Sequence, residues 1–168
     1  ENESNLSYFF DDDEIDNMKE IAQKIREEQQ SRDSGPAAVV TAGISGAVGS
    51  GANVGGSIQT AFDMLGNVEL QKSESTGVEA GAGASVAFVM AFYPGMKNVA
   101  DSEGFGTASG IGIGEVLYGS IDILCSGEGN DLEPVGIAIS IGAGARLSLH
   151  TNMSHTSRLL GPINIFDL

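Results

Sequence analysis

Apolar positions alternate with small or polar positions along much of this chain, and the clearest alternation lies in residues 136–151. The odd positions of this stretch carry isoleucine, alanine and leucine, whereas the even positions carry glycine, alanine, serine, Arg146 and His150. A period of two is typical of a β-strand whose two faces differ. The stretch therefore predicts a strand with one apolar face and one small or polar face.

Shorter stretches of the same kind predict further strands, separated by turns rich in glycine, proline and polar residues. The predicted strands cover residues 37–48, 57–64, 67–72, 83–93, 111–124, 136–151 and 162–166. Short strands at regular spacing are typical of an all-β sandwich or barrel, and closure would remove exposed sheet edges. The predicted fold class is mainly β, a small antiparallel β-barrel of about eight strands.

The beginning of the chain has a helical period instead. An amphipathic α-helix is predicted over residues 12–30, because acidic residues gather in its first turn and basic residues follow later. Its apolar stripe consists of Ile15, Met18, Ile21, Ala22 and Ile25. We expect Ile15, Met18, Ala22 and Ile25 to pack against the β body of the same chain or of a neighbouring copy. A polar linker follows, so the predicted domains are an acidic N-terminal segment at 1–36 and a β-barrel domain at 37–168.

Composition and charge narrow the classes of partner. The chain has 168 residues and a formal net charge of −15, which would repel nucleic acid and disfavour anionic lipid. Its 24 glycines are about twice the usual share, which indicates bends at the corners of a barrel. We therefore expect no nucleic-acid partner, while a membrane is less favoured than a small apolar ligand or a protein, and oligomers are compatible with the sequence.

Glu115 and Arg146 are the candidates for a buried ion pair. Glu115 falls on the apolar face of the strand predicted over residues 111–124, where a carboxylate is costly unless it is paired. Arg146 is the cation of the adjoining predicted strand, and antiparallel pairing could bring the two together. The alternative is a glycine bulge at Gly112 or Gly114 that turns Glu115 outward.

No pattern of residues indicates a catalytic or metal centre. His150 and His155 lack a third zinc ligand, and no nucleophile elbow supports a Ser-His-Asp triad. The glycine-rich segment at 43–56 lacks the Gly-Lys-Ser/Thr ending of a phosphate-binding loop. We therefore expect no catalytic residue, no metal ligand and no cofactor.

The function that the sequence favours is a non-enzymatic binding or effector module. A barrel of about eight strands can hold one small ligand, and the candidate ligand-binding residues are Phe88, Met90, Phe92, Leu117, Tyr118, Ile139 and Ile141. A membrane-active or pore-forming protein is the alternative, because membrane strands also pair an apolar face with a small or polar one. An enzyme on a barrel scaffold is the remaining alternative.

An exported protein, secreted or displayed at the cell surface, is the expected localisation. The chain starts at Glu1 rather than Met, and three Asn-X-Ser sequons make Asn2, Asn5 and Asn152 candidate glycosylation sites. The single cysteine, Cys125, excludes an internal disulfide framework, which argues weakly in the opposite direction.

Overall fold

The computed structural model describes Ile21, Gln23 and residues 37–127 and 132–168. The chain divides into two compact units, Glu1–Gly35 and Pro36–Leu168. Ile21 and Gln23 are helical. The remainder of the helix predicted over residues 12–30, including the rest of its apolar stripe, lies outside the described residues.

The second unit is mainly β, with one antiparallel sheet of five strands. The strands are β1 (Ala38–Asp63), β2 (Asn67–Pro94), β3 (Gly104–Gly114), β4 (Leu117–Ser126) and β5 (Glu133–Asn164), with short 3-10 turns at Val99–Ser102 and Ile165–Asp167. Their order in the sheet is β1-β2-β5-β3-β4, and β4 also pairs with β5. The backbone ladders recorded between these strands do not close into a ring.

Three of the strands are much longer than the sequence predicts, with 26, 28 and 32 residues in β1, β2 and β5. The predicted strands 37–48 and 57–64 are the two halves of β1, and the predicted glycine-rich bend at 49–56 lies inside it. Glycine explains the difference, because Gly51 and Gly83 have positive φ and bend the chain without ending the ladder. The prediction of about eight separate strands is therefore corrected to five.

The long strands fold back on themselves at these bends. β3 pairs with residues 146–156 of β5 and β4 with residues 133–143, while β3 and β4 also pair with each other. The two halves of β1 also meet, since a side chain built on Gly55 would lie 3.1 Å from the carbonyl oxygen of Gly46. We call the end of the sheet that holds the turning points the bend end; it comprises residues 50–52, 80–84, 114–117 and 143–146. We call the opposite end the loop end; it comprises Ala38 and the connections 64–66 and 95–103.

The side chains of this sheet are distributed in the opposite way to those of a water-soluble protein, in which apolar side chains are buried and polar side chains are exposed. The buried hydrophobic residues are few and mostly small, whereas thirteen polar or charged residues are buried. Most of the large apolar side chains of the strands are exposed. The alternation predicted for residues 136–151 is present in β5, with its small and polar positions buried and its apolar positions outside.

A small apolar cluster closes the loop end. Val39, Ala61 and Val99 are fully buried there, and Tyr93 packs against them. Burial raises the pKa of the Tyr93 phenol to about 12, because the charged form would lose its hydration. Asp63 fixes the connection after β1, since its carboxylate accepts hydrogen bonds from the backbone N–H groups of Leu65, Asn67 and Val99.

Candidate functional site

We call the side of the sheet on which side chains are buried the inner side. A buried ion pair lies on this side and joins β5 to β2. Arg146 donates from Nε and Nη2 to Oε2 of Glu79, and both side chains are almost completely buried. The second carboxylate oxygen of Glu79 has no hydrogen-bond partner among the described residues. A buried pair of this kind makes each partner dependent on the other, because removal of one leaves an uncompensated charge.

The candidate pairing of Arg146 with Glu115 is wrong, and Glu115 points outward as in the alternative, although the β3–β4 ladder has no bulge at Gly112 or Gly114. Glu115 lies in the two-residue turn between β3 and β4 and is exposed. Glu115 shares its odd positions with Ile111 and Ile113, and these positions are exposed, whereas Arg146 is buried on the opposite side of the sheet. Sequence reasoning missed Glu79, although Glu79 stands at an inward position of the same period-two pattern.

A second cluster of polar side chains spans three neighbouring strands on the same inner side. His150 on β5 lies 2.6 Å through Nε2 from Oδ1 of Asp122 on β4, and its Nδ1 lies 3.1 Å from the hydroxyl oxygen of Ser148. Gly110 on β3 stands between Asp122 and His150 in the ladders. A side chain at that position would overlap the Asp122 carboxylate, so glycine leaves the space that this hydrogen bond occupies.

These residue types are those of a hydrolytic triad, but their placement does not suit that chemistry. Ser148 is only 1% exposed, which leaves its hydroxyl no surface on which to meet a substrate. Ser120 also donates to the Asp122 carboxylate at 3.1 Å. The arrangement satisfies buried polar groups across the sheet, and this accounts for it structurally.

The inner side of the sheet borders a cavity of about 180 Å³. Small apolar residues share its lining with Gln59, Asp122, Arg146, His150 and Asn152 and with hydroxyl residues; the hydroxyl residues are Ser45, Ser57, Ser73, Ser75, Ser85, Tyr93, Tyr118, Ser120, Ser140, Ser154 and Thr156. These polar groups give water in the cavity hydrogen-bond partners.

The predicted apolar lining of the interior is therefore wrong for six of its seven residues. Tyr118 is on the inner side and 5% exposed, but Phe88, Met90, Phe92, Leu117, Ile139 and Ile141 are exposed on the outside. The period-two pattern placed these side chains together correctly on one face of a strand, but the pattern does not state which face is inside.

Five of these six residues instead share a groove on the outer surface. The groove has a volume of about 360 Å³ and is lined by Val40, Phe88, Met90, Ala91, Phe92, Ile137, Ile139 and Ile141. Cross-strand neighbours build it, because Phe88 stands opposite Ile141 and Met90 opposite Ile139 in the β2–β5 ladder. A second apolar groove, of about 700 Å³, runs over isoleucines of β3, β4 and β5.

We call the outward surface of residues 40–48, 84–92, 117–125 and 137–143 the apolar face. Its outward positions carry valine, isoleucine, leucine, phenylalanine, methionine, alanine and glycine, with Cys125 near one end. No charged side chain stands at an outward position in these four segments, all of which are described. This face extends from the bend end to the loop end.

The outward surface of the remaining strand segments, residues 52–62, 68–80, 105–113 and 147–157, is the mixed face. It is apolar near the bend end, with Val54, Val78 and Leu149 exposed, and polar halfway along. Lys72 and Glu74 form an exposed ion pair of 3.4 Å there, and Ser109 and Thr151 share a hydrogen bond of 3.0 Å.

The candidate glycosylation sites have different positions. Asn2 and Asn5 lie outside the described residues. Asn152 lines the inner cavity, and its Oδ1 is buried without a hydrogen-bond partner among the described residues. A glycan needs its asparagine side chain at the surface, so Asn152 in this fold does not meet that requirement.

No family model, curated protein or solved structure matches this chain. Within the described residues, no helix is long and apolar enough to cross a membrane. In the same part of the chain, no group of three or more His, Cys, Asp or Glu side chains is arranged to hold a metal ion.

Proposed function

We propose that the β unit is a membrane-active module that places its apolar exterior in a lipid bilayer. The observation that carries the proposal is the reversed distribution of side chains, with an apolar outer surface around a polar, hydrogen-bonded interior. Soluble monomers rarely expose contiguous apolar patches larger than a few hundred Å². Each Ile, Leu or Phe transferred from water to an apolar medium contributes roughly 1.5–3 kcal/mol, so a face of this size favours lipid strongly.

Insertion into lipid requires that every backbone N–H and C=O group finds a partner within the protein. We therefore propose that the sheet closes into a small barrel. Its strand segments are the two halves of β1, of β2 and of β5, together with β3 and β4. Two contacts support closure. The halves of β1 approach within backbone contact at Gly43 and Ile58, and β3 pairs with β4 at the other side of the sheet.

The same features argue for a module that does not conduct. A barrel of about eight strand segments has an interior that side chains fill, and the cavity on the inner side is small, at about 180 Å³. The paired segments 80–84 of β2 and 145–149 of β5 also pass across the bend end. A membrane anchor fits better than an open pore.

Vesicle binding by single-tryptophan variants tests the proposal. The chain contains no tryptophan, so Phe88→Trp on the apolar face reports without background, and Ala100→Trp in the loop-end connection is the matched control. Phosphatidylcholine vesicles suit a chain of net charge −15, since anionic lipid would repel it.

We expect the protein to float with the vesicles on a density gradient. Lipids brominated on their acyl chains should quench the fluorescence of Phe88→Trp strongly and that of Ala100→Trp weakly. Protein that stays at the bottom of the gradient with both variants unquenched would contradict membrane insertion.

A protein partner on the apolar face is the second candidate, and the two outer grooves favour it. Phe88, Phe92 and Ile139 line a depression of about 360 Å³, a shape that a small apolar side-chain cluster of another protein could fill. A discrete dimer or hetero-complex in sedimentation without lipid, combined with no flotation, would favour this candidate over the membrane. The exported location expected from the sequence is compatible with both and stays a proposal.

A further inference from the structure

We infer that the β unit enters the bilayer from one side, with the bend end leading and the apolar face inserted more deeply than the mixed face. This inference rests on the proposed membrane function. It concerns the polarity and the tilt of insertion, which follow from where the charges and the connections of the described residues lie.

The bend end carries almost nothing that resists transfer into hydrocarbon. Its outward residues are glycine, alanine, serine, valine and leucine, with Glu115 the one charged side chain exposed among residues 50–52, 80–84, 114–117 and 143–146. Val116 and Leu117 form the tip beside Glu115 and are 78% and 81% exposed. Because the strands turn here through bends and one two-residue turn, no long polar connection would have to cross the membrane.

The loop end has the opposite character. The connection 95–103 includes Asp101 and Glu103, and Arg158 of β5 pairs there with Glu69 at 2.9 Å and with Glu103 at 2.8 Å. Ionised groups in the bilayer core are costly, whichever estimate of the cost is used. The loop end is therefore the end that stays in water.

The first charged outward side chain along each segment sets the tilt. On the apolar face, β2 runs from Gly83 to Phe92 with no charged outward residue. On the mixed face, the same strand reaches Glu74 seven residues from Gly81, which is roughly 23 Å at ~3.3 Å per residue. If the membrane surface passes beside Glu74, the apolar face lies below that surface over its full length. The long axis of the β unit is then tilted relative to the membrane normal.

Single cysteine probes test both parts of the inference. Cys125→Ala removes the single cysteine of the chain, and Val116→Cys, Ala100→Cys, Met90→Cys and Glu74→Cys each add one. Met90 and Glu74 are matched, since each lies seven residues from a bend glycine on the same strand, one on each face. Each variant carries an environment-sensitive fluorophore, and retained β circular dichroism shows that it is folded.

On phosphatidylcholine vesicles we expect the Val116 and Met90 probes to be shielded from an impermeant aqueous quencher. The Ala100 and Glu74 probes should remain accessible to it. Vesicle binding with Val116 accessible and Ala100 shielded would overturn the polarity. Equal shielding at Met90 and Glu74 would overturn the tilt. Absence of any binding would overturn the proposed function itself, which keeps the failures distinguishable.

Glu115 gives a second, independent readout. If this carboxylate enters the bilayer at the leading tip, Glu115→Gln should raise the vesicle partition coefficient at least ~10-fold, because a neutral amide costs far less there. Glu133→Gln removes a comparable exposed charge at the loop end. This charge stays in water beside a zwitterionic surface, so its removal should change the vesicle partition coefficient less than ~2-fold. Equal effects of the two substitutions would overturn insertion by the bend end.

Discussion

The two sides of β5 invert the usual relation between burial and polarity. Towards the interior β5 presents Ser140, Arg146, Ser148 and His150, all buried. Towards the exterior, between residues 137 and 149, it presents a row of isoleucines and leucines, all more than half exposed. In a water-soluble sheet the two sets would exchange places. The difference teaches that the apolar area of this unit lies on its outer side, whereas polar pairing stabilises its inner side.

The two sides also obtain their stability differently. The inner side depends on specific partners, such as the Arg146–Glu79 pair and the hydrogen bond from His150 to Asp122. The apolar face carries no charged side chain among its outward positions, all of which are described, and its contribution scales with apolar area. Substitutions on the inner side should therefore change the free energy of unfolding, whereas those on the apolar face should change partitioning into lipid.

The largest effect is expected from breaking the buried ion pair. Glu79→Ala leaves the Arg146 guanidinium buried without its counter-charge, which should lower the free energy of unfolding by about 3–5 kcal/mol. Glu74→Ala is the matched control, since it removes the same side chain from an exposed position of the same strand and should cost less than ~1 kcal/mol. Denaturant titration of the two variants measures the difference, and similar losses would contradict the assignment of Glu79 to the interior.

The next effect concerns a charge placed on the apolar face. Ile139→Arg should weaken transfer to phosphatidylcholine vesicles by about 2–4 kcal/mol if this position lies near the middle of the bilayer. His155→Arg on the mixed face stands opposite Glu74 in the ladder and should change transfer by less than ~1 kcal/mol, as expected for an exposed pair. Vesicle flotation across a lipid titration measures both, and equal losses would show that the two faces do not differ in depth.

Much of the β character and of the strand alternation could be predicted from the sequence, whereas the side of the sheet that is buried could not. Alternation fixes which side chains share a face, as it did for Phe88, Met90 and Phe92, but it is symmetric between inside and outside. The placement of all three in the interior assumed an aqueous exterior. The burial of Glu79 and Asp122 shows that the polar face of these strands is the one turned inward.

The long folded strands and the true partner of Arg146 were also beyond the pattern. Glycine at positions 51, 81, 83 and 144 is compatible with either a turn or a continuous bend, and the choice depends on pairing between distant segments. The partner of Arg146 depends on the same register, because a carboxylate 67 positions away reaches it only when β2 and β5 align as they do.

A smaller effect is expected at Gly110, which makes room for the polar inner side. Gly110→Ala would place a methyl group against the carbonyl oxygen of Ile121 and the Asp122 carboxylate, and overpacking of this kind costs about 1–3 kcal/mol. Gly119→Ala is the control on the outer side, where the nearest atom outside its chain neighbours is 3.9 Å away. Thermal denaturation should show a loss for the first variant alone, and equal behaviour would contradict the close approach across β3.

The smallest effect is expected at the exposed Lys72–Glu74 pair, and it sharpens the comparison most directly because it is also an ion pair on β2. The two side chains are 48% and 78% exposed, with 3.4 Å between Nζ and Oε1, whereas the Arg146–Glu79 pair is buried. Water screens the exposed charges. A double-mutant cycle with Lys72→Ala and Glu74→Ala, measured as free energies of unfolding, should therefore give a coupling energy of at most ~0.5 kcal/mol that vanishes near 1 M salt.

The same cycle, measured as free energies of unfolding of the vesicle-bound protein, should give the same small coupling energy if the membrane surface passes beside this pair and leaves it in water. A coupling energy above ~2 kcal/mol in the vesicle-bound state would mean that the pair has lost its water, and this would place the mixed face inside the bilayer as deeply as the apolar face.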